Sequence, residues 1–147
     1  MSRESTVLVS PPAGNRGIVL LKIAAIYLLA GLVMGIGMGM AHDYSLTSVH
    51  AHVLLLGWAA LSVTGVVYVL LPGCATSKLA AWHIWSHNIG LPVVLISLTL
   101  FHYGSALAEK VLAGSSLVLL ASLVFFTVNL FVNGSEKVAG AKAAQGR

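Results

Sequence analysis

The chain has 147 residues, of which 58% are hydrophobic and only 8% are charged, and its formal net charge is +4. Together with a mean hydropathy of +0.94, this composition excludes an ordinary soluble domain and indicates an integral membrane protein. The basic excess forms no patch with interleaved aromatic side chains, so we expect no nucleic-acid binding.

Four apolar stretches are each long enough to cross the hydrocarbon core of a bilayer, which takes about 20 helical residues. They run from Ile18 to Met40, Val49 to Leu71, Ala80 to Tyr103 and Val111 to Val132. Because the connections are short, there is room for one domain. We therefore predict an all-α, integral membrane four-helix bundle over residues 18–132.

The two ends of the sequence are polar. Residues 1–17 contain Pro11 and Pro12 and lack the basic flank and short apolar core of a cleaved signal, so we expect a flexible tail and a retained first span. Residues 133–147 are rich in Gly, Ala and Lys, and we expect them to be disordered.

The basic residues predict the orientation of the spans. All but one lie before span one, at its start, between spans two and three, or after span four: Arg3, Arg16, Lys22, Lys78, Lys137, Lys142 and Arg147. Since positive charge is held on the cytoplasmic side, both termini are expected in the cytoplasm. This orientation suits a multi-pass protein of a bacterial-type cytoplasmic (inner) membrane.

Span one contains a ridge of small residues, Gly31, Gly35 and Gly39, at fourfold spacing. Such a ridge lets another helix approach closely, either within the chain or in an oligomer. Its methionines fit flexible packing, and Met38 and Met40 with His42 also fit a copper site.

Span two carries His50 and His52, which a regular helix rotates ~200° apart, so the pair cannot bind one metal ion together. Below them, Leu54, Gly57, Leu61 and Gly65 form one stripe with two glycine gaps. The gaps suit either a neighbouring helix or the flat face of a porphyrin.

Span three carries His83 and His87, four residues apart and therefore ~6 Å from each other on one helix face. That spacing permits one small metal ion, or one heme ligand with the other histidine beside it. From the topology, His52 and His87 are expected ~10 to 20 Å apart in depth. His102 is nearer in level to His52, with His42 behind it.

We expect structural roles for the polar residues of span four and for the cysteine. Span four has no ionisable residue, and its polar members are Ser115, Ser116, Ser122, Thr127 and Asn129. The only cysteine, Cys74, is interpreted as an ordinary loop residue.

Two strings resemble a known family: His50 to Trp58 (HAHVLLLGW) and Trp82 to Pro92 (WHIWSHNIGLP). They are similar to small four-helix proteins related to subunit I of heme-copper oxidases, closest to the C-type oxidases and nitric oxide reductases. The resemblance implies histidine-bound heme b and a homo-oligomer, a trimer or dimer, because one chain supplies a single four-helix arc. It also implies that His50 and His52 serve two different hemes.

The departures from that family limit the activity expected. One chain cannot supply the several histidines of a copper centre next to a heme in the arrangement known for that family. The acidic residues Glu4, Asp43, Glu109 and Glu136 all lie outside the spans. A proton-pumping oxidase is therefore not expected, and any enzymatic activity would be that of a non-pumping oxidoreductase.

Three hypotheses about function follow from these residues. In the first, a heme b is bound by His52 or His50, with His102, His87 or a neighbouring subunit's histidine as the second ligand and His83 close by. Such a heme would transfer electrons to a redox partner or bind oxygen or nitric oxide. In the second, His42, His50, His52 and the methionines bind or transport copper or zinc. In the third, the chain is a non-catalytic assembly partner of a respiratory complex.

Overall fold

A computed structural model describes residues 14–134, and all the regular secondary structure in that range is helical. The elements are α1 (Gly14–Ala41), α2 (Thr47–His52), a π-helical segment (Val53–Ala60), α3 (Leu61–Leu70), α4 (Pro72–Thr76), α5 (Lys78–His102) and α6 (Ala106–Asn133). Within the described range, four helical stretches are long and apolar enough to cross a membrane: Arg16–Ala41, Thr47–Leu70, Lys78–His102 and Ala106–Asn133. The predicted all-α class and the four spans are thereby confirmed.

The first and last described helices extend slightly past residues 18–132. The first helix begins at Gly14, inside the stretch expected to be a tail, and the last helix includes Asn133. The rest of the two predicted tails, residues 1–13 and 135–147, lies outside the described residues.

Local chemistry explains where the helices stop and start. Pro72 opens α4, where a missing N–H costs nothing. The side chain of Ser77 accepts a hydrogen bond from the Ala80 N–H at 3.0 Å and so caps α5. Gly104, with φ +85°, turns the chain between α5 and α6, and this left-handed conformation favours glycine.

The spans pack mainly as two antiparallel pairs, α1 along α2 to α3, and α5 along α6. At the end of the bundle that bears Arg16, the guanidinium donates to the Ala75 carbonyl at 2.8 Å and ties α1 to α4. We call this the Arg16 end. The opposite end, formed by residues 42–46 and 103–105, is the His42 end.

Two clusters of buried side chains hold the pairs together. The larger lies toward the Arg16 end and contains Leu20, Ala24, Leu61, Tyr68, Cys74, Ala75 and Ala80. The smaller, Leu91, Val94 and Leu119, joins α5 to α6, and Tyr27 of α1 packs against both clusters. The interpretation of Cys74 as a loop residue is wrong, because it lies in α4 with no exposed surface.

The glycine gaps of spans one and two are filled from within the chain. A Cβ on Gly57 would lie 2.5 Å from Cγ of Tyr27, and one on Gly31 would overlap Leu54. A Cβ on Gly35 would lie 3.0 Å from the His50 ring, whereas Gly39 has no atom within 4 Å of that position. Of the two alternatives for the gaps in span two, the neighbouring helix is therefore the occupant. Two of the three ridge glycines likewise pack inside the monomer.

Candidate functional site

Span two departs from regular helix directly below its histidine pair. Residues Val53–Ala60 form a π-helix, and π segments inside α-helices are uncommon and occur often at functional sites. His50 and His52 belong to the regular turn before it, so the expectation that they project in different directions holds.

His83 and His87 meet as their spacing predicts. Both side chains have no exposed surface, and their ring centroids are 5.6 Å apart in an edge-to-face arrangement. Phe126 of α6 packs on the His83 ring, with the two ring centroids 5.4 Å apart. The pair is therefore enclosed between the helices and does not face lipid.

Both ring nitrogens of His87 are engaged. Its Nε2 lies 3.1 Å from the carbonyl oxygen of Leu56, and since a carbonyl only accepts, Nε2 carries the hydrogen. Its Nδ1 lies 3.3 Å from the hydroxyl of Ser122, whose single hydrogen is shared between this nitrogen and the Leu119 carbonyl, 2.6 Å from the hydroxyl. As packed here, His87 has no nitrogen available for a metal ion.

The contact with Leu56 shows which part of span two the side chain of His87 reaches. Leu56 belongs to the π segment, four residues after His52. At ~1.5 Å per residue, Leu56, the point that His87 contacts, lies ~6 Å from His52 along the axis of span two. The side chain of His87 thus reaches toward the His52 half of span two, whereas His83, one turn earlier, contacts Tyr68 near the other end of that span.

His83 belongs to a polar cluster around Asn129, which we call the Asn129 cluster. The Asn129 amide oxygen accepts from the Ser77 hydroxyl and from the Asn133 amide, both at 2.8 Å. The Asn129 Nδ2 donates to the Cys74 carbonyl at 3.0 Å and to the Tyr68 hydroxyl at 3.5 Å. All four hydrogen-bonding positions of this buried amide are thus used.

The Asn129 cluster determines which ring nitrogen of His83 carries the hydrogen. The Tyr68 oxygen lies 3.1 Å from Nδ1 of His83, and because Tyr68 accepts from Asn129, its own hydrogen is directed to that nitrogen. The neutral ring then carries its hydrogen on Nε2, which is buried and has no partner among the described residues. That nitrogen is also closed to anything as large as a porphyrin.

Sequence reasoning assigned span four a structural role and missed Asn129 and Ser122 as partners of the histidines. The signal was present, because polar side chains within an apolar span usually face the bundle interior and bond across helices. Both residues are completely buried.

His50 faces span one. Its ring lies over Gly35, and its Nδ1 is buried with no hydrogen-bond partner among the described residues. The ring is half-buried, so the small residue in α1 makes room for the imidazole and not for a second chain.

His52 has the chemistry of a metal ligand. Its Nδ1 lies 2.7 Å from the Ser48 carbonyl of the same helix, so Nδ1 carries the hydrogen and Nε2 keeps its lone pair. Histidines that bind metal commonly donate their other ring N–H to a carbonyl, which fixes the tautomer. The half-buried side chain projects away from the face that His50 turns toward α1.

His42 and His102 lie at the His42 end and are exposed. His42 has φ +51°, and the His102 ring lies 5.2 Å from that of Tyr103. The Ser45 backbone N–H lies 2.9 Å from the Asp43 carboxylate and lowers the pKa of that exposed carboxyl. The Ser45 hydroxyl and His102 lower this pKa further, by smaller amounts.

In residues 14–134, no three side chains of His, Cys, Asp or Glu lie close enough to hold one metal ion. Among the histidines of the described residues, His52 keeps a ring nitrogen whose lone pair is not engaged. No protein-family model, curated protein or solved structure matches this chain.

Proposed function

We propose that the protein is a heme b protein of the cytoplasmic membrane, with both termini in the cytoplasm and His52 as an axial ligand near the outer face. One observation supports this assignment above the others, namely the 2.7 Å contact between Nδ1 of His52 and the Ser48 carbonyl. It leaves the Nε2 lone pair for iron and holds the ring in one tautomer.

The second ligand comes from His102 or from a second copy of the chain. His50 projects from the other side of the same helix and lies against Gly35, and both nitrogens of His87 are engaged. His102 is exposed at the end of α5 and belongs to the same end of the bundle as His52. An assembly of several copies would place histidines of different chains near one heme.

When bound, heme supplies a one-electron couple and an iron that takes up a diatomic gas where one axial position is open. The residues of the chain bind and orient it. Ser48 fixes the orientation of the His52 ring. We therefore propose electron transfer or the binding of oxygen or nitric oxide, without proton pumping.

The test is an absorption spectrum of the detergent-purified full chain, oxidised and reduced with dithionite, after expression with ample heme. We expect a Soret band that shifts on reduction and is lost in His52→Ala. His42→Ala and His87→Ala are the matched controls and keep the band. Carbon monoxide added to the reduced protein shifts the band only where one axial position is open.

Two outcomes contradict the proposal. A flat spectrum with a stoichiometric bound copper or zinc ion would favour a metal-handling protein. A Soret band unchanged in His52→Ala and lost in His87→Ala would place the heme among the buried side chains of span three.

A further inference from the structure

A groove runs between α5 and α6 near the His42 end. It encloses about 290 Å³ and is lined mainly by branched apolar side chains, among them Val93, Ile96, Leu100, Leu107 and Val111. Each of these five is also exposed on the surface of the bundle, from 37% for Val93 to 72% for Leu107. The groove therefore opens outward, where the bilayer surrounds spans three and four.

Two serines line this groove: Ser105, whose hydroxyl oxygen caps α6 at the His42 end, and Ser97, which lies deep in span three. Ser97 is only 4% exposed and lies five residues before His102, about 8 Å along the helix at ~1.5 Å per residue. Its hydroxyl makes no hydrogen bond to any described residue. A hydroxyl at this depth has no water to bond, so it is costly without a partner.

The other buried hydroxyls of the spans behave differently. Thr64 donates to the Leu61 carbonyl, Ser115 to that of Leu112 and Ser122 to that of Leu119, each within its own helix. Ser97 is thus the exception among the buried span hydroxyls in residues 14–134. It keeps a donor available inside an apolar groove.

The lining limits the chemistry of a ligand. It contains no charged side chain, so an anionic headgroup or a carboxylate would be buried without a counter-charge. A neutral molecule dissolved in the bilayer, with a carbonyl oxygen to accept from Ser97, meets both requirements. We propose that this groove binds a quinone ring, held by its apolar faces and by a hydrogen bond from Ser97 to one carbonyl.

The test measures binding of a short-tailed benzoquinone analogue to the full chain in detergent by isothermal titration calorimetry. Loss of one hydrogen bond predicts an affinity about 5-fold to 10-fold weaker in Ser97→Ala. Ala108→Phe, which places a ring in the groove, removes binding. Ser116→Ala is the matched control, because Ser116 is exposed on α6 outside the groove lining, and it binds like the parent protein.

A photoreactive azidoquinone gives the location independently and is expected to label peptides from 93–111. Equal affinity of Ser97→Ala and the parent overturns the proposal, as does labelling elsewhere. A co-purifying phospholipid that the quinone analogue does not displace also overturns it. The titration needs no heme, so its failure and the failure of the heme proposal are distinguishable.

Discussion

Asn129 and His52 are both polar residues inside apolar spans, yet their side chains are in opposite situations. At the Arg16 end, the Asn129 amide uses all four of its hydrogen-bonding positions on three neighbouring elements and its own helix. At the His42 end, His52 bonds only to its own helix and keeps one nitrogen available. A satisfied polar group stabilises the bundle, whereas an available one can bind something else.

The largest effect on stability is expected at Asn129. Asn129→Leu removes this partner from the buried Cys74 carbonyl and from the half-buried Ser77 hydroxyl, and we expect a loss of about 2 kcal/mol in the free energy of unfolding. The measurement is an unfolding titration with a denaturing detergent in mixed micelles. Thr127→Ala is the control, because this exposed hydroxyl bonds only to the Leu123 carbonyl of its own helix. Equal losses for the two variants would contradict the assignment.

The two buried histidines, His87 and His83, also differ in how completely their ring nitrogens are hydrogen-bonded. His87→Leu removes bonds to Leu56 and Ser122, and we expect it to cost about 1 to 2 kcal/mol. His83→Leu removes the bond from Tyr68 but also removes a buried N–H without a partner, so its net cost is below about 1 kcal/mol. The same titration compares the variants, and a larger cost for His83→Leu would show that Nε2 has a partner in the membrane.

A smaller effect separates two glycines of α1. A Cβ at Gly35 would press on the His50 ring, whereas Gly37 has no atom within 4 Å of that position. Replacing either glycine by Ala raises helix propensity by a similar amount, so the informative quantity is the difference in stability between the two variants. We expect Gly37→Ala to be the more stable by about 1 kcal/mol in thermal unfolding in detergent. Equal stability would mean that the His50 ring moves aside without cost.

The smallest change in stability is expected at His52, where the proposed function depends on the residue most. His52→Leu loses one bond within its own helix, so we expect the free energy of unfolding to stay within about 0.5 kcal/mol of the parent value. Thermal unfolding of the heme-free protein measures this. A loss as large as that of His87→Leu would indicate that His52 is part of the packing.

Hydropathy and spacing predicted the features that depend on a single helix. The four spans and the shared face of His83 and His87 follow from composition and from the 3.6-residue repeat. The sevenfold spacing of Ser115, Ser122 and Asn129 places these three on one buried face of span four. The partners that each of them bonds depend on how the helices meet, which no spacing within one span shows. The π segment was also missed, because its sequence, VLLLGWAA, is as apolar as the regular turns beside it.

The π segment has a consequence for how this chain tolerates changes in length. A wide turn holds more residues than a regular one, so Val53–Ala60 accommodates extra backbone while the histidine pair stays on one side of it and Tyr68 on the other. Removing one residue there, such as Leu55, would let the turn tighten into regular helix with both flanking faces kept in register. The same deletion in α3 would rotate everything beyond it by ~100° and turn Tyr68 away from His83. A chain descended from the same ancestor would therefore lose a residue from span two more readily in this segment than in the regular helix of α3.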